Sequence, residues 1–454
     1  MKQNKMGTVQ ISTLMLKMGL PMIISMILQA FYNIVDSYFV SQMPNGETGV
    51  TALTLAFPIQ MLMIAIGVGT GVGINALLSR SLGAGEREKA SKIAGNAIFL
   101  GICTYVVFLL IGIFGIDAYL RSQTSDAAVL KMATEYLRIC TIVSFGAILS
   151  MIYEKLLQGV GRTTLSTIAQ LAGALTNIIL DPIMIFGWLG CPEMGIAGAA
   201  WATVIGQIVT LVMSAYLHHA KNHDLDTALK YLKPQGATIA QIYKIGIPAI
   251  IMQALMSIMT YGANIILGGI SDAAVTAYGV YYKLQQFIFF AAFGMNNALI
   301  PIIGFNYGMR DKARVKDGIK YGMIYTLIIM LLGTVAFQAF APGIMAVFAL
   351  SAETEKLAVT TIRVITVGYL FAGANIAFQG IFQAFGEGVK SLIVSALRLI
   401  VVALPLLWVL SRTASAAQSA WWAFPLAEAA AVVVAVVLYK KMWGRVGALL
   451  SSAC

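Results

Sequence analysis

Apolar runs of 20 residues or more recur about twelve times between residues 14 and 440, and that pattern removes most folds from consideration. A helix rises about 1.5 Å per residue, so roughly 20 apolar residues cross the roughly 30 Å of bilayer hydrocarbon. The runs lie at 14–40, 50–78, 93–115, 129–157, 163–188, 195–218, 239–268, 275–305, 317–340, 356–384, 388–411 and 418–440. A chain of 454 residues that is 59% hydrophobic and 11% charged, with mean hydropathy +0.84, cannot stay dissolved as a monomeric water-soluble domain. It reads as an all-α integral membrane protein.

The net charge of +11 does not point to nucleic acid, because the basic residues are spread over the short segments between runs. They act as topology signals instead. Lys2, Lys5 and Lys17, the 79–92 loop, Lys155, Arg162, the 218–244 connector, the 310–320 loop, Lys390 and Lys440, Lys441 and Arg445 fall on one side. The opposite loops hold Glu47, Asp117, Asp126, Glu193, Asp272, Glu353 and Glu355. The positive-inside rule then places both termini in the cytoplasm. No short hydrophobic region followed by a small-residue cleavage site opens the chain, so the first run is expected to be retained as a signal anchor. Cys103, Cys140, Cys191 and Cys454 are too scattered to form a disulfide framework.

The chain repeats itself. Lys17-Met18-Gly19-Leu20-Pro21 returns as Lys244-Ile245-Gly246-Ile247-Pro248, and Val50-Thr51-Ala52 as Val275-Thr276-Ala277. Ser81-Leu82-Gly83-Ala84-Gly85-Glu86-Arg87 pairs with Asn306-Tyr307-Gly308-Met309-Arg310-Asp311-Lys312, and Gln158-Gly159-Val160-Gly161 with Gln383-Ala384-Phe385-Gly386. All keep an offset of about 225 residues, and Ala200-Trp201-Ala202 matches Trp421-Trp422-Ala423 with a small slip. Six spans per copy is an even number, so the copies are parallel repeats, the plan of a transporter that handles its substrate between two lobes. The expected domains are 1–218, a cytoplasmic linker at 219–238, and 239–454. His218, His219 and His223, the three histidines, fall at this linker and read as part of a solvated connector.

Enzyme signatures are scarce: no His-Glu-x-x-His, no Gly-x-Ser-x-Gly elbow and no Walker loop occurs. Gly67-Val68-Gly69-Thr70-Gly71-Val72-Gly73 resembles a dinucleotide loop superficially, but it lies within a span and reads as overlapping Gly-x-x-x-Gly packing. The informative residues are two lone carboxylates, Asp36 in the first run and Asp181 in the fifth. A carboxylate at mid-bilayer costs roughly 2.5–3.5 kcal/mol on insertion scales, so it faces a partner, a cation or water rather than lipid. Ser25, Gln29, Tyr32, Asn33 and Asp36 share one helical face, and Ser166, Gln170, Gly173, Asn177 and Asp181 share another. Both stripes are expected to look into a cavity. The sixth run returns inward and brings Thr203 to the same depth. Such a pair suits a site that takes and releases a proton, or holds Na⁺ by oxygen ligands; the competing reading is a pair of buried acids satisfied by amides and hydroxyls.

The second half lacks these carboxylates: Ala263 stands opposite Asp36, and Leu406 opposite Asp181. It offers Gln253, Ser257, Tyr261 and Asn264 in the seventh run, Tyr282, Lys283 and Gln286 in the eighth, and Asn375 with Gln379 in the tenth. Lys283 and Arg398 are expensive inside a membrane and either pair with Glu428 or touch substrate. Glu154, beside Lys155, is read as an interface group. Candidate substrate contacts are therefore Gln29, Asn33, Gln170, Gln253, Asn264, Tyr282, Lys283, Asn375 and Gln379.

Twelve spans in two parallel halves, Tyr32-Asn33-Ile34-Val35-Asp36, Asn177-Ile178-Ile179-Leu180-Asp181-Pro182 and the matched Gly-containing loops resemble the multidrug and toxic compound extrusion (MATE) family across essentially the whole chain. The resemblance implies a V-shaped, two-lobed antiporter that exports organic, often cationic and amphiphilic compounds in exchange for H⁺ or Na⁺. It implies a monomer without cofactor in the bacterial cytoplasmic membrane, with the lipid bilayer and small organic substrates as its partners. In the DinF-like branch the cation site matches Tyr32 and Asp36, Asn177 and Asp181, and Thr203. The NorM-like branch uses acids in spans seven and ten, where this chain has none. Two other classes stand beside this reading. A lipid-linked oligosaccharide flippase of the same superfamily would carry several cavity-facing cations, and only Lys283 and Arg398 qualify. An intramembrane aspartyl protease would need a Gly-x-Gly-Asp setting, absent here.

Overall fold

The computed structural model describes residues 4–348 and 350–451, with the side chain of Asn33 outside the described set. Every regular element among these residues is helical. Eleven helices are long and apolar enough to cross a bilayer, and the pair Ala127–Ile142 and Phe145–Gly159, bent by 45°, makes a twelfth span. In chain order the spans are Ile11–Ser41, Gly46–Gly83, Arg87–Gln123, the bent pair, Thr163–Phe186, Ile196–Lys221, Gly236–Gly268, Asp272–Gly308, Lys312–Ala346, Ala352–Ala384, Gly388–Leu410 and Ala416–Ser451. Each falls on one expected apolar run, with helix ends often extending several residues into the polar flanks.

The repeat is visible in backbone geometry as well as in residue type. After the fourth span Gly161 takes φ 85° and its N–H donates to the Gln158 carbonyl at 2.9 Å; Gly386, at φ 79°, makes the same bond to Gln383 at 2.9 Å. The turn after the second span is duplicated too, but Arg310 at φ 60° stands where the first copy has Gly85 at φ 76°. A side chain in that left-handed conformation costs about 1–2 kcal/mol, so the turn geometry is kept against local preference.

The chain forms two compact units. One is built from residues up to Ile23 together with those from Lys244 onward; the other is Ile24–Tyr243. The division falls inside the first span just past Pro21, whose ring removes one backbone donor from the helix.

Within the Ile24–Tyr243 unit, small residues set how closely helices approach. A Cβ on Gly67 would lie 2.5 Å from Met151 Sδ, and one on Gly71 2.5 Å from Lys155 Cγ, so the glycine-rich stretch of the second span is a packing face for the fourth. The connector after the sixth span is exposed along most of its length, as expected, but it is also tied to the third span. Ser91 Oγ accepts from the Asp226 N–H at 2.9 Å, Asn96 Oδ1 accepts from the Gln235 N–H at 2.8 Å, and Arg87 Nε donates to the Asp224 carbonyl at 3.3 Å. Leu225 joins the core alongside Ile93 and Ile242. His218 is buried, hydrogen-bonded to Asn222 at 3.2 Å and packed edge-on against Tyr153. Third-span side chains thus satisfy connector N–H groups at Asp226 and Gln235 and a carbonyl at Asp224, which holds an otherwise exposed segment in place.

The other unit has an aromatic core that includes Tyr278, Tyr281, Tyr369 and Trp421. In it Arg314 fastens the short helix Lys5–Thr8 by donating to the carbonyls of Met6 at 2.9 Å and Val9 at 2.8 Å, while its Nε donates to Asn306 Oδ1 at 2.7 Å. Cys103, Cys140 and Cys191 are free thiols, and Cys454 lies outside the described residues.

Candidate functional site

The fifth and sixth spans make the closest helix contact of the site. A Cβ on Gly173 would sit 2.5 Å from the Gly206 carbonyl oxygen, and one on Gly206 2.7 Å from that of Gly173, so only glycine permits this crossing. The approach carries Thr203 over to the fifth span: Asn177 Nδ2 lies 3.4 Å from Thr203 Oγ1 and 3.4 Å from Asp181 Oδ1. Gly187, at φ 72°, ends the fifth span one residue past Phe186 and just beyond this cluster.

Asp36 comes from the first span, which is tied to the fifth by a 2.8 Å hydrogen bond from Ser25 Oγ to Thr167 Oγ1. Asp181 is fully buried and Asp36 is 9% exposed. The two carboxylates lie within electrostatic reach of each other, and the half-buried Tyr32 lies within reach of both and of Glu154. Neither aspartate pairs with a Lys or Arg among the described residues. Asp36 Oδ1, Asp181 Oδ2 and Asn177 Oδ1 are buried with no hydrogen-bond partner. An unsatisfied buried acceptor costs about 1–3 kcal/mol, more when charged, so the bare oxygens of the bonded Asn177 and Asp181 and of Asp36 have a chemistry that suits a proton or a hard cation. Among the described residues no group of three His, Cys, Asp or Glu side chains has metal-holding geometry, so any cation here would be held by two carboxylates and neutral oxygens.

The remaining candidates separate into distinct settings. Gln29, Gln253 and Tyr282 are half-buried, Asn264 and Lys283 are exposed, and the Asn33 side chain lies outside the described residues. Gln170 donates to Glu154 Oε2. The fifth-span stripe therefore does not look into a cavity along its length: Ser166 accepts from Gln158 at 3.1 Å, Gln170 turns to Glu154, and Gly173 meets the sixth span. Helix packing consumes a polar face that amphipathic spacing alone assigns to open space.

One feature escaped the sequence reading, and one alternative left open there is met. Glu154 is not an interface group; it is 8% exposed, and Lys155 beside it is 7% exposed. A signal was present, because Gln379 stands 225 residues after Glu154 and repeats its contact, donating to Ser395 at 2.9 Å. In the second half Arg398 pairs with Glu428: Nε lies 2.9 Å from Oε1 and Nη2 2.6 Å from Oε1. Asn375 Nδ2 also donates to Glu428 Oε2, at 2.7 Å. The pairing with Glu428 considered for Arg398 is present, whereas Lys283, for which it was also considered, is exposed.

Comparison with known proteins agrees with this architecture. The family model described as MatE matches residues 21–183 and again 248–409, once in each copy of the repeat. The chain is 27% identical over 431 residues to the multidrug export protein MepA of Staphylococcus haemolyticus, covering 95% of this chain and 94% of that one. It is 26% identical over 397 residues to the MepA of Staphylococcus saprophyticus, covering 87% and 86%. Among solved structures, the outward-facing conformation of a multidrug resistance MATE family transporter of the MOP superfamily superposes with a TM-score of 0.91 at 25% identity, covering 100% of this chain and 99% of that one. A MATE transporter in the bent conformation gives 0.92 at 23% identity, covering 99% of each, a likeness of fold. With both halves matched, the protein belongs to the MatE family, the MATE transporters, and is a multi-span membrane transporter, not an enzyme.

Proposed function

We propose that the protein exports organic, often cationic and amphiphilic compounds from a bacterial cell by exchange for H⁺ or Na⁺. The observation that carries the exchange step is the set of buried, unpartnered oxygens on Asp36, Asp181 and Asn177. The similarity to multidrug export proteins supports the substrate class. The charge asymmetry of the loops supports a location in the cytoplasmic membrane with both termini inside.

In this reading Asp36 and Asp181 share the coupling ion, Asn177 and Thr203 hold Asp181 in place, and Tyr32 closes the cluster beside Asp36. Taking up a proton or Na⁺ removes the mutual repulsion of the carboxylates and satisfies the bare oxygens, which biases the first and fifth spans toward one packing. Substrate that binds the other packing is released, since a ligand shifts an equilibrium only by its differential affinity for the two states. One pH unit across the membrane supplies about 1.4 kcal/mol per proton, equivalent to about tenfold in substrate accumulation.

The test is dye efflux from whole cells or inverted vesicles, with pH and Na⁺ gradients imposed separately, for wild type, Asp36→Asn and Asp181→Asn. Loss of gradient-driven export in both variants, with normal insertion, is the expected outcome, and the gradient that drives wild type names the ion. Export at wild-type rate in either variant would return that aspartate to a structural role.

A further inference from the structure

The two halves share a ladder of hydrogen bonds and then diverge at one rung. Gln158 donates to Ser166 at 3.1 Å in the first half, and Gln383 to Ser391 at 3.3 Å in the second. Gln170 meets Glu154 in the first, and Gln379 meets Ser395 in the second. At the next rung, where Gly173 meets Gly206 and Thr210, the residue 225 positions on is Arg398, and its contact is Glu428. A glycine crossing has been replaced by an ion pair inside the membrane.

That pair is poorly explained as a stabilising element, because a buried salt bridge is often no better than an apolar contact of the same volume, and an ionisable residue within a span is a functional group by default. Its surroundings have the character of a cation-recognition site. The Arg398 guanidinium lies 6.0 Å from the centroid of the Phe289 ring. Phe289 packs edge-on against Tyr369. The π-helical turn Leu397–Val401 sets Arg398 in this position, and such turns are frequent at functional sites. Asn375 is fully buried, spends its amide N–H groups on Glu428, and keeps Oδ1 with no partner. The Glu428 side chain is 14% exposed against 6% for Arg398, so the acid is the more accessible partner.

We infer that Glu428, with Phe289 and Asn375, forms a binding site for planar, N–H-bearing organic cations of the amidinium or guanidinium class, with Arg398 as its internal occupant. The guanidinium displays what the site accepts: a flat cation that donates two N–H bonds to one carboxylate and lays its charge near an aromatic face. An arriving amidinium takes those bonds, and the displaced guanidinium turns to the bare Asn375 Oδ1. The inference rests on the export reading above and adds to it a substrate class and a location.

Binding of benzamidine to the purified full-length transporter tests it, by calorimetry in detergent without any gradient. Glu428→Gln is expected to weaken binding at least about tenfold, the scale of hydrogen bonds to a charged group. Arg398→Lys keeps the charge but loses the planar fork, so the internal competitor weakens and benzamidine should bind several-fold more tightly; a structural pair predicts weaker binding or no change, and either result overturns the inference. Phe289→Leu leaves the ion pair intact, so it serves if the charge variants fail to fold; it is expected to weaken binding several-fold, the range of a cation–π contact, and unchanged binding would count against the site. Because no gradient is present, these results are independent of ion exchange: lost gradient-driven export with the benzamidine effects intact would overturn only the exchange reading.

Discussion

Gly173→Ala tests whether the site depends on the closeness of the fifth and sixth spans. The added Cβ would lie 1.9 Å from Thr210 Oγ1 and 2.5 Å from the Gly206 carbonyl oxygen, and a Cβ essentially never comes nearer than 3.0 Å to a non-bonded heavy atom. The threonine can rotate, at the expense of its 3.1 Å hydrogen bond to that same carbonyl, but the carbonyl belongs to the sixth-span backbone and cannot. Relief therefore requires the helices to part by about 0.5 Å, and overpacking of this kind costs about 1–3 kcal/mol. The Asn177 to Thr203 bond, already 3.4 Å, would stretch past hydrogen-bonding distance, so Asp181 would lose the neighbour that positions its partner amide. The expected result is a lower thermal midpoint in detergent and slower gradient-driven efflux, although both aspartates remain. Adding Thr210→Ala should recover part of the stability and little of the transport, because it removes the hydroxyl clash and leaves the carbonyl one. Wild-type stability and efflux in Gly173→Ala would show that the helices do not approach this closely and would remove the basis for placing Thr203 in the site.

Other perturbations read separate parts of the molecule. Glu154→Gln preserves the polar contact with Gln170 and removes a charge within reach of Tyr32, so it should leave the thermal midpoint nearly unchanged and slow export of cationic dyes several-fold; equal rates would make Glu154 a packing residue. Gly95→Leu would drive a side chain into the Tyr231 carbonyl, 2.0 Å from the Cβ position, and should speed protease cleavage within 222–235; unchanged cleavage would contradict the packed connector. Arg314→Gln gives up its charged bonds to the Met6 and Val9 carbonyls and should lower stability by on the order of 2 kcal/mol, measured by thermal unfolding; an unaltered midpoint would mean the N-terminal helix is held otherwise.

The number and placement of spans, the duplicated plan and the two aspartates were all legible in residue order. Each depends on a local or periodic property: 20 apolar residues suffice to cross a bilayer whatever they pack against, an offset of 225 residues survives folding, and a lone acid in an apolar run is conspicuous by its desolvation cost. Periodicity also put Asp36, Asn177 and Asp181 on identifiable helix faces. It could not say what those faces would meet. Ser166 and Gln170 share a stripe with Asp181 yet turn to Gln158 and Glu154, because the bent fourth span packs there. Helical spacing describes one helix at a time, whereas hydrogen bonds between helices depend on approach distances that a single Cβ would abolish, as at Gly173 and Gly206. For the same reason only the packed structure pairs Arg398 with Glu428, buries Glu154, laces the connector onto the third span, and divides the first span between two units at Ile23.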